Sequence, residues 1–452
     1  MRAMWFRATG IVFALLAALV TAQAAEKPNI VVIVADDLGW NDVGWHGSEI
    51  PTPTLDRLVS SGIELDNHYV QPVCTPTRVA LNTGRYPSRF SVRCTVPSNE
   101  RSVPLGTAMM ASLFKSTGYA TALIGKWHLG SKPEWGPNHY GFDYSYGSLA
   151  GAVGMYDHRY RLKSPYVRTW HRNCEFIEDE KGHASDLVTR EAVGWIEKQK
   201  DRPFLLCVTY HSVHAPLVEE DRWLAKVRHV KSADRRLYAA AVAHLDDCVS
   251  RIVDAIDRAG IRERTLIVFT SDNGAQVNHA GNAYPPPDPK LSNFSSNKPL
   301  RGHKAQTYEG GIRVPAFANW PGKLKPAKLR QPMHAVDWVP TLTRLVGVEP
   351  PENAKWDGCD VWPFLIDAGR ATQTRTLYWV VSNRWFALRH GEWKIVRQGL
   401  DGKWELFNLA DDPNETTDLA SAKPEKLAEL VGLFRENQAK DAPVVGAQSK
   451  PE

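Results

Sequence analysis

Unbroken apolar runs punctuate the chain at wide intervals. Asn29-Ile30-Val31-Val32-Ile33-Val34 is the first, the segment from Pro203 to Tyr210 the second, and that from Thr265 to Thr270 the third. A run that is apolar throughout, not alternating, predicts a strand covered on both faces, as in the middle of a parallel sheet. Tyr119 to Ile124 and Arg313 to Trp320 read as further strands. Between these runs the apolar positions fall at helical spacing. The predicted helices are Thr54 to Ser61 with Thr54 as N-cap, Thr107 to Thr117 ended by Gly118, Ala184 to Gln199, Ser232 to Ala259 stopped by Gly260, and Val336 to Val346. The alternation predicts an α/β sheet with helices on both faces. Residues 131–182 and 275–312 lack clear periodicity and read as long loops. Beyond about Arg370 the pattern changes. Thr376 to Val381, Trp385 to Arg389, Trp393 to Arg397 and Trp404 to Asn408 are short, with turns such as His390-Gly391 and Asp401-Gly402 between them, and predict an antiparallel sheet. A closing helix from Pro424 to Asn437 and a polar tail follow.

The 452 residues suit one large core with a smaller unit attached. Residues 1–25 change the picture most. Arg2 and Arg7, the apolar stretch Gly10 to Val20 and the small-x-small Ala22-Gln23-Ala24 read as a secretory signal peptide. The apolar stretch is short for a membrane span, so an exported protein, periplasmic or secreted and without a stable membrane anchor, is expected. The predicted domains are therefore 26–370, 371–440 and a tail at 441–452. Of the formal charge of +5, the two leader arginines contribute +2, leaving +3. There is no basic block, which sets nucleic acid aside. The six cysteines, at 74, 94, 174, 207, 248 and 359, have no metal-binding spacing and no deducible pairing. Sixteen tryptophans suit core packing and, in part, walls for sugar stacking.

Candidate chemistry clusters just past the strands. Asp36-Asp37, Lys126 with His128, His214, and Asp272-Asn273 each follow an apolar run, and ligands in open α/β sheets bind at the carboxyl ends of strands. Asp36, Asp37, Asp272 and Asn273 offer oxygen donors alone, a set suited to Ca²⁺ or Mg²⁺. Taken singly, either acidic pair is an ordinary turn or cap; the two together, after two buried strands, point to an ion. Lys126 and His128 alternate on an expected extended segment, with Trp127 facing the other way. Cys74-Thr75-Pro76-Thr77-Arg78 places a cysteine just before a predicted helix N-terminus, with Pro76 in the first turn and Gly84 at the end. Such a start favours negative charge.

The pattern Cys74-x-Pro76-x-Arg78 followed by Leu81-x-Thr83-Gly84-Arg85 resembles the signature of the sulfatase family. Gly125-Lys126-Trp127-His128-Leu129-Gly130 is similar to its second signature. Ser212-Val213-His214-Ala215-Pro216-Leu217 and Leu300-Arg301-Gly302-His303-Lys304 look most like its arylsulfatase B type. The resemblance implies an alkaline phosphatase-like α/β fold: a large mixed sheet flanked by helices, with a smaller C-terminal antiparallel sheet. It implies that Cys74 is oxidised to formylglycine by a maturation enzyme, and that one Ca²⁺ is bound by Asp36, Asp37, Asp272, Asn273 and the residue at 74. By the same resemblance Arg78, Lys126 and Lys304 neutralise the sulfate oxygens and His128 supports the formylglycine hydrate. Asp272 is then the base for attack and His214 the acid for the leaving oxygen.

The expected activity is hydrolysis of a sulfate monoester on a sulfated saccharide. Aryl sulfate selectivity, a phosphomonoesterase or phosphonate hydrolase on the same fold, and a silent glycan-binding protein are the alternatives. His211 has no matching role and reads as structural. Tyr156, His158, Trp170 and the Trp379–Trp385 region are candidates for the substrate pocket.

Overall fold

A computed structural model describes residues 27–95, 99–162, 165–352 and 354–444. The expected signal peptide and residues 445–452 of the expected tail lie outside them. Ten strands form the main sheet: β1 Asn29–Ala35, β2 Ile63–Leu65, β3 Ala120–Lys126, β4 Tyr144–Ser148, β5 Trp170–Arg172, β6 Glu175–Phe176, β7 Phe204–Thr209, β8 Thr265–Ser271, β9 Ala316–Asn319 and β10 Ala327–Leu329. Their spatial order is β10-β2-β9-β8-β1-β7-β3-β4-β5-β6. The centre is parallel, with β1 between β7 and β8, whereas β9 runs antiparallel to both its neighbours. The sheet is therefore mixed, as expected.

The unbroken apolar run of β1 has a direct cause. Ile30, Val32 and Val34 pack on one face with Val79, Met110 and Trp338; Val31 and Ile33 pack on the other with Val188, Ile196 and Ile252. Both faces are covered by helices, so neither set of alternating positions can be polar. The second face carries the helices Ala184–Gln199 and Ala233–Arg258, close to their predicted limits.

Three expectations are corrected. Residues 131–182 are not all loop, because β4, β5 and β6 lie there and extend one sheet edge. The helix expected from Thr107 begins at Met110. Thr52, not Thr54, occupies the N-cap position of helix Pro53–Ser60. The N–H groups of Thr54 and Leu55 instead donate to Asp246 of the long helix, at 3.1 and 2.9 Å, so a neighbouring helix supplies the cap that the local sequence does not.

The C-terminal strands β11 Thr376–Val381, β12 Trp385–His390, β13 Trp393–Gln398 and β14 Trp404–Asn408 pair antiparallel in sequence order. Tyr378 and Phe386 meet Phe434 of the closing helix Pro424–Gln438. Leu377, Trp379 and Val381 pack instead with Tyr69, Val73, Tyr308 and Ile312, against the unit of the large sheet. Trp379 is fully buried and its Nε1 donates to the Val70 carbonyl at 2.8 Å. Trp379 thus cements the two units rather than standing in an open wall.

Candidate active site

The rungs Ala35 with Ser271, Val34 with Thr209, and Gly125 with Thr209 bring the ends of β1, β8, β7 and β3 to one level. Whatever follows each strand therefore meets at one sheet edge: Asp36-Asp37 after β1, Asp272-Asn273 after β8, His211 to His214 after β7, and Lys126 to His128 at the end of β3. Reciprocal backbone hydrogen bonds, Asp36 N to Ser212 O at 2.9 Å and Val213 N to Asp36 O at 2.7 Å, tie the His214 loop to the first aspartate. Cys74 opens the helix Cys74–Thr83, preceded by extended Val73; Gly84 ends it with φ 69°, as the sequence predicts. Thr77 pins the approach by exchanging hydrogen bonds with the Gln71 backbone, both at 3.0 Å. Lys304 sits in a turn held on both sides, by its own N–H to Ala275 O and by Ala305 N–H to Pro72 O.

Three carboxylates and three cations interleave here. Lys126 Nζ lies 2.5 Å from Asp36 Oδ2. Lys304 Nζ lies 2.9 Å from Asp37. Arg78 spans two partners, donating to Asp272 Oδ2 at 2.7 Å and to the Lys126 carbonyl at 2.8 Å. Arg78 thus positions Lys126 and Asp272. The expectation that His128 lies on an extended segment is corrected: its φ is 61°, in the left-handed region. Trp127 does turn the other way, into the core, with Nε1 donating to the Trp135 carbonyl at 2.9 Å.

The oxygen donors fit a cation. Asp36 Oδ1 and Asn273 Oδ1 are buried and accept no hydrogen bond from the protein, which calls for a partner. One set of potential ligand atoms, from Asp36, Cys74 and Asp272, lies within 4.8 Å of one another; a second joins Asp36, Asp37 and His214. The second set brings an imidazole nearer than the oxygen-only reading implies, with His214 Nε2 3.7 Å from Asp37 Oδ2.

Burial dominates the electrostatics. It raises Asp36 to about 7, helped by the Asp272 charge. Burial also acts upward on Asp37, but Lys304 and His214 outweigh it and hold that carboxyl well below its usual range. Burial and the Lys304 charge push His214 down to about 3, and burial with Lys126 and Arg78 keeps His128 neutral. Burial lifts the Cys74 thiol to about 11, so an unmodified thiol here is a poor nucleophile at neutral pH. His211 is buried beside Trp170, with neither ring nitrogen hydrogen-bonded to the protein.

A cleft of about 800 Å³ opens above these groups, with Cys74, His128, His214 and Lys304 in its wall. Asn99, Tyr160, Asn278, His279 and His303 line it farther out. His303 stands beside Lys304 in the Leu300–Lys304 motif but was given no role. Asn99 and Tyr160 stand in loops, and Asn278 and His279 in a two-residue strand paired with Leu291–Ser292, inside the stretch 275–312 expected to be loop, so none of these four carries a motif. His279 is held by Asp288 at 2.5 Å. Tyr156, His158 and Trp170 line a different cavity of about 270 Å³. Trp170 is buried, its ring 4.7 Å from His158.

Comparison with known proteins gives a consistent family. The sulfatase family model matches residues 28–348, and a model described as N-sulphoglucosamine sulphohydrolase, C-terminal, matches residues 303–437. Arylsulfatase J of Mus musculus is 33% identical over 387 residues, which are 82% of this chain and 62% of that protein. N-acetylgalactosamine-6-sulfatase of Sus scrofa is 32% identical over 417 residues, 88% of this chain and 76% of that protein. Among solved structures, Ps i-CgsB in complex with k-i-k-neocarrahexaose superposes with a TM-score of 0.84 at 31% identity, covering 93% of this chain and 94% of that one.

Proposed function

We propose a reaction and a substrate class on one premise: the chain belongs to the sulfatase family. Its fold is the alkaline phosphatase-like α/β arrangement of that family, and its class is sulfuric ester hydrolase. The finer reading is removal of sulfate from a sulfated carbohydrate by an exported enzyme. It rests on formylglycine made from Cys74 by a maturation enzyme, and on one calcium ion held by Asp36, Asp37, Asp272, Asn273 and the residue at 74. The names of two relatives support the carbohydrate: an N-acetylgalactosamine-6-sulfatase, and a structure bound to neocarrahexaose. The observation that carries the reading is the placement of Cys74 in the cleft wall over buried, interleaved carboxylates and cations.

Held by Asp36, Asp37, Asp272, Asn273 and the residue at 74, a bound calcium ion would supply positive charge to offset the negative charge that shifts onto the ester oxygens during displacement. Formylglycine, as its hydrate, supplies two hydroxyls on one carbon, one to attack sulfur and one to expel sulfate. The chain's own groups do the rest. Lys126 and Lys304 present ammonium groups to the ester oxygens. Arg78 holds Asp272 and the Lys126 carbonyl in place. Asp272 accepts the proton of the attacking hydroxyl, and neutral His128 that of the second. A sugar alkoxide leaves poorly, so a positioned acid is needed. His214 is the candidate: it lines the cleft, and its Nδ1 bonds to the Ala215 carbonyl, so Nε2, 3.7 Å from Asp37 Oδ2, is the nitrogen left to carry the transferred proton. The anionic ester beside Lys304 opposes the charge that keeps this ring neutral, and so favours its protonated form.

The test is a sulfate-release panel across sulfated mono- and oligosaccharides, an aryl sulfate and a phosphate monoester, with Cys74→Ala as blank. Release from saccharides above that from the aryl sulfate, and abolished in C74A, is the expected result. Turnover confined to the aryl sulfate or to the phosphate ester overturns the substrate class. Equal turnover by C74A overturns the mechanism.

A further inference from the structure

A second group of ligands lies on the sheet face covered by the two long helices, away from the cleft. His183 is the N-cap of helix Ala184–Gln199 and Asp186 lies in its first turn. His244 comes from the middle of helix Ala233–Arg258, and Glu219 from the loop after β7. Ligand atoms of His183, Asp186 and His244 all lie within 4.8 Å of one another. His244 Nε2 lies 3.5 Å from Asp186 Oδ1, and His183 Nε2 3.8 Å from Glu219 Oε1. Both are long for a hydrogen bond.

The two Nε2 atoms are the second observation. His183 and His244 are 3% and 1% exposed, and the Nε2 of each is buried with no hydrogen-bond partner. Leaving two buried ring nitrogens unpaired is costly for a protein that gains nothing from it. The spacing suits an ion. Two ligands each about 2.0–2.1 Å from a tetrahedral zinc lie about 3.3 Å apart.

We propose that His183, His244 and Asp186 form a second metal site, for zinc or a divalent ion of its class, with Glu219 holding the His244 ring in place. Two imidazole nitrogens with a carboxylate suit zinc, whereas the oxygen-rich group under the cleft suits a harder ion. His244 is already oriented for the task. Its Nδ1 donates to Glu219 Oε2 at 2.9 Å, which leaves the Nε2 lone pair facing the cluster. Trp223 stacks on the same ring at 4.4 Å and 14°. Ligation through His183 Nε2 puts that ring's proton on Nδ1. The long contact from Ser185 N–H to Nδ1, 3.3 Å, must then be given up.

Arg251 donates to Asp186 Oδ1 at 2.5 Å and Arg222 stands 3.7 Å from Oδ2. Both arginine side chains are partly exposed and free to yield, and the 28% exposure of Asp186 gives the ion a way in. The competing arrangement is a metal-free ion pair, with a protonated His244 between the two carboxylates. The site would brace the fold next to the catalytic loop: Ser185, between His183 and Asp186, shares a hydroxyl hydrogen bond of 2.6 Å with Ser212. This inference does not depend on the substrate reading.

The test uses the full chain, stripped by a chelator and kept in excess calcium, and titrates it with Co²⁺ and then Zn²⁺. One equivalent of Co²⁺ with the strong visible absorption of a tetrahedral site, displaced by one equivalent of zinc, is expected. His183→Gln/His244→Gln should weaken zinc binding at least tenfold, while Asp272→Asn, which alters the catalytic group, should keep the signal. Absence of that absorption in the wild type overturns the proposal, as does a signal that survives the double variant and is lost in D272N. X-ray absorption of the zinc-loaded wild type decides even if the double variant fails to fold: two imidazole ligands support the site, and an oxygen-only shell overturns it.

Discussion

Gly151 gives the sharpest mechanical test of the catalytic wall. A Cβ placed there would stand 2.0 Å from His128 Nε2, 2.3 Å from Cε1 and 2.5 Å from Cδ2. Ordinary contact needs about 3.5 Å, so Gly151→Ala asks the ring to move by about 1.5 Å. Little around it can give. His128 is 5% exposed, its backbone is held in the left-handed region, and its N–H is bonded to Leu149 O at 3.0 Å. A catalytic group misplaced by about 1 Å costs on the order of 10²-fold in rate, or about 2.7 kcal/mol of barrier. Overpacking should cost a further 1–3 kcal/mol or so of fold stability. The assay is kcat and KM on a saccharide identified by the panel, with the modified fraction at Cys74 counted by mass spectrometry and the denaturant midpoint measured alongside. The drop should fall on kcat. Because both changes act on one ring, G151A added to His128→Ala should cost almost nothing more. A G151A enzyme with wild-type kcat, or fully additive losses in the double variant, would refute the role given to His128.

The remaining predictions address charge. Chelation should abolish sulfate release and Ca²⁺ should restore it better than Mg²⁺, because a cluster of several protein oxygens suits the larger ion; full activity with metal verified absent by elemental analysis would sink the cation reading. His214→Asn should cost on the order of 10²–10⁴-fold on a saccharide, whose alkoxide needs a proton, and much less on an activated aryl sulfate; equal losses on the two substrates would remove the acid assignment. Lys394 is fully buried between Glu309 and Glu415, 2.8 Å from each, and joins the C-terminal sheet to the catalytic unit. Lys394→Met should therefore destabilise by about 3–5 kcal/mol in denaturant unfolding, and a midpoint close to wild type would count against that bridge. Burial, together with the Glu309 charge that shares Lys394, holds Glu415 up at about 7 from its usual 4.5. The folded state then keeps a proton that the unfolded chain has lost. This contribution is present in full below about pH 4.5 and disappears as pH rises through 7, with a slope of at most about 1.4 kcal/mol per pH unit. Unfolding curves at several pH values should show the slope in the wild type and not in Glu415→Gln; identical pH profiles would rule the titration out.

The central strands were legible because burial on both faces leaves the middle of β1, β7 and β8 apolar at every position, with polar residues only toward the strand ends. That also made the site legible. In an open α/β sheet the first polar residues after such a strand stand at its carboxyl end, so Asp36, His214 and Asp272 could be placed together before any distance was known. The edge was not legible, for the opposite reason. β4 is Tyr-Ser-Tyr-Gly-Ser, and its Ser145 is satisfied by side-chain hydrogen bonds to Asn138 and His171 and not by apolar packing. A strand stabilised by polar partners distant in sequence carries no periodic signal.

The same distinction separates the two candidate metal groups. The oxygen donors under the cleft announce themselves because each pair sits beside a strand whose pattern can be read. His183, Asp186, Glu219 and His244 are joined only by the packing of two helices and a loop. His183 is in the sequence an ordinary cap and His244 an ordinary helical position. Their alignment depends on how helix Ala184–Gln199 sits against helix Ala233–Arg258, and that is set by apolar neighbours such as Leu187, Val188, Val249 and Ile252. Local patterns name the residues a strand end will present. They do not fix the rotation of one helix against another, and at this second site that rotation brings the two imidazoles together.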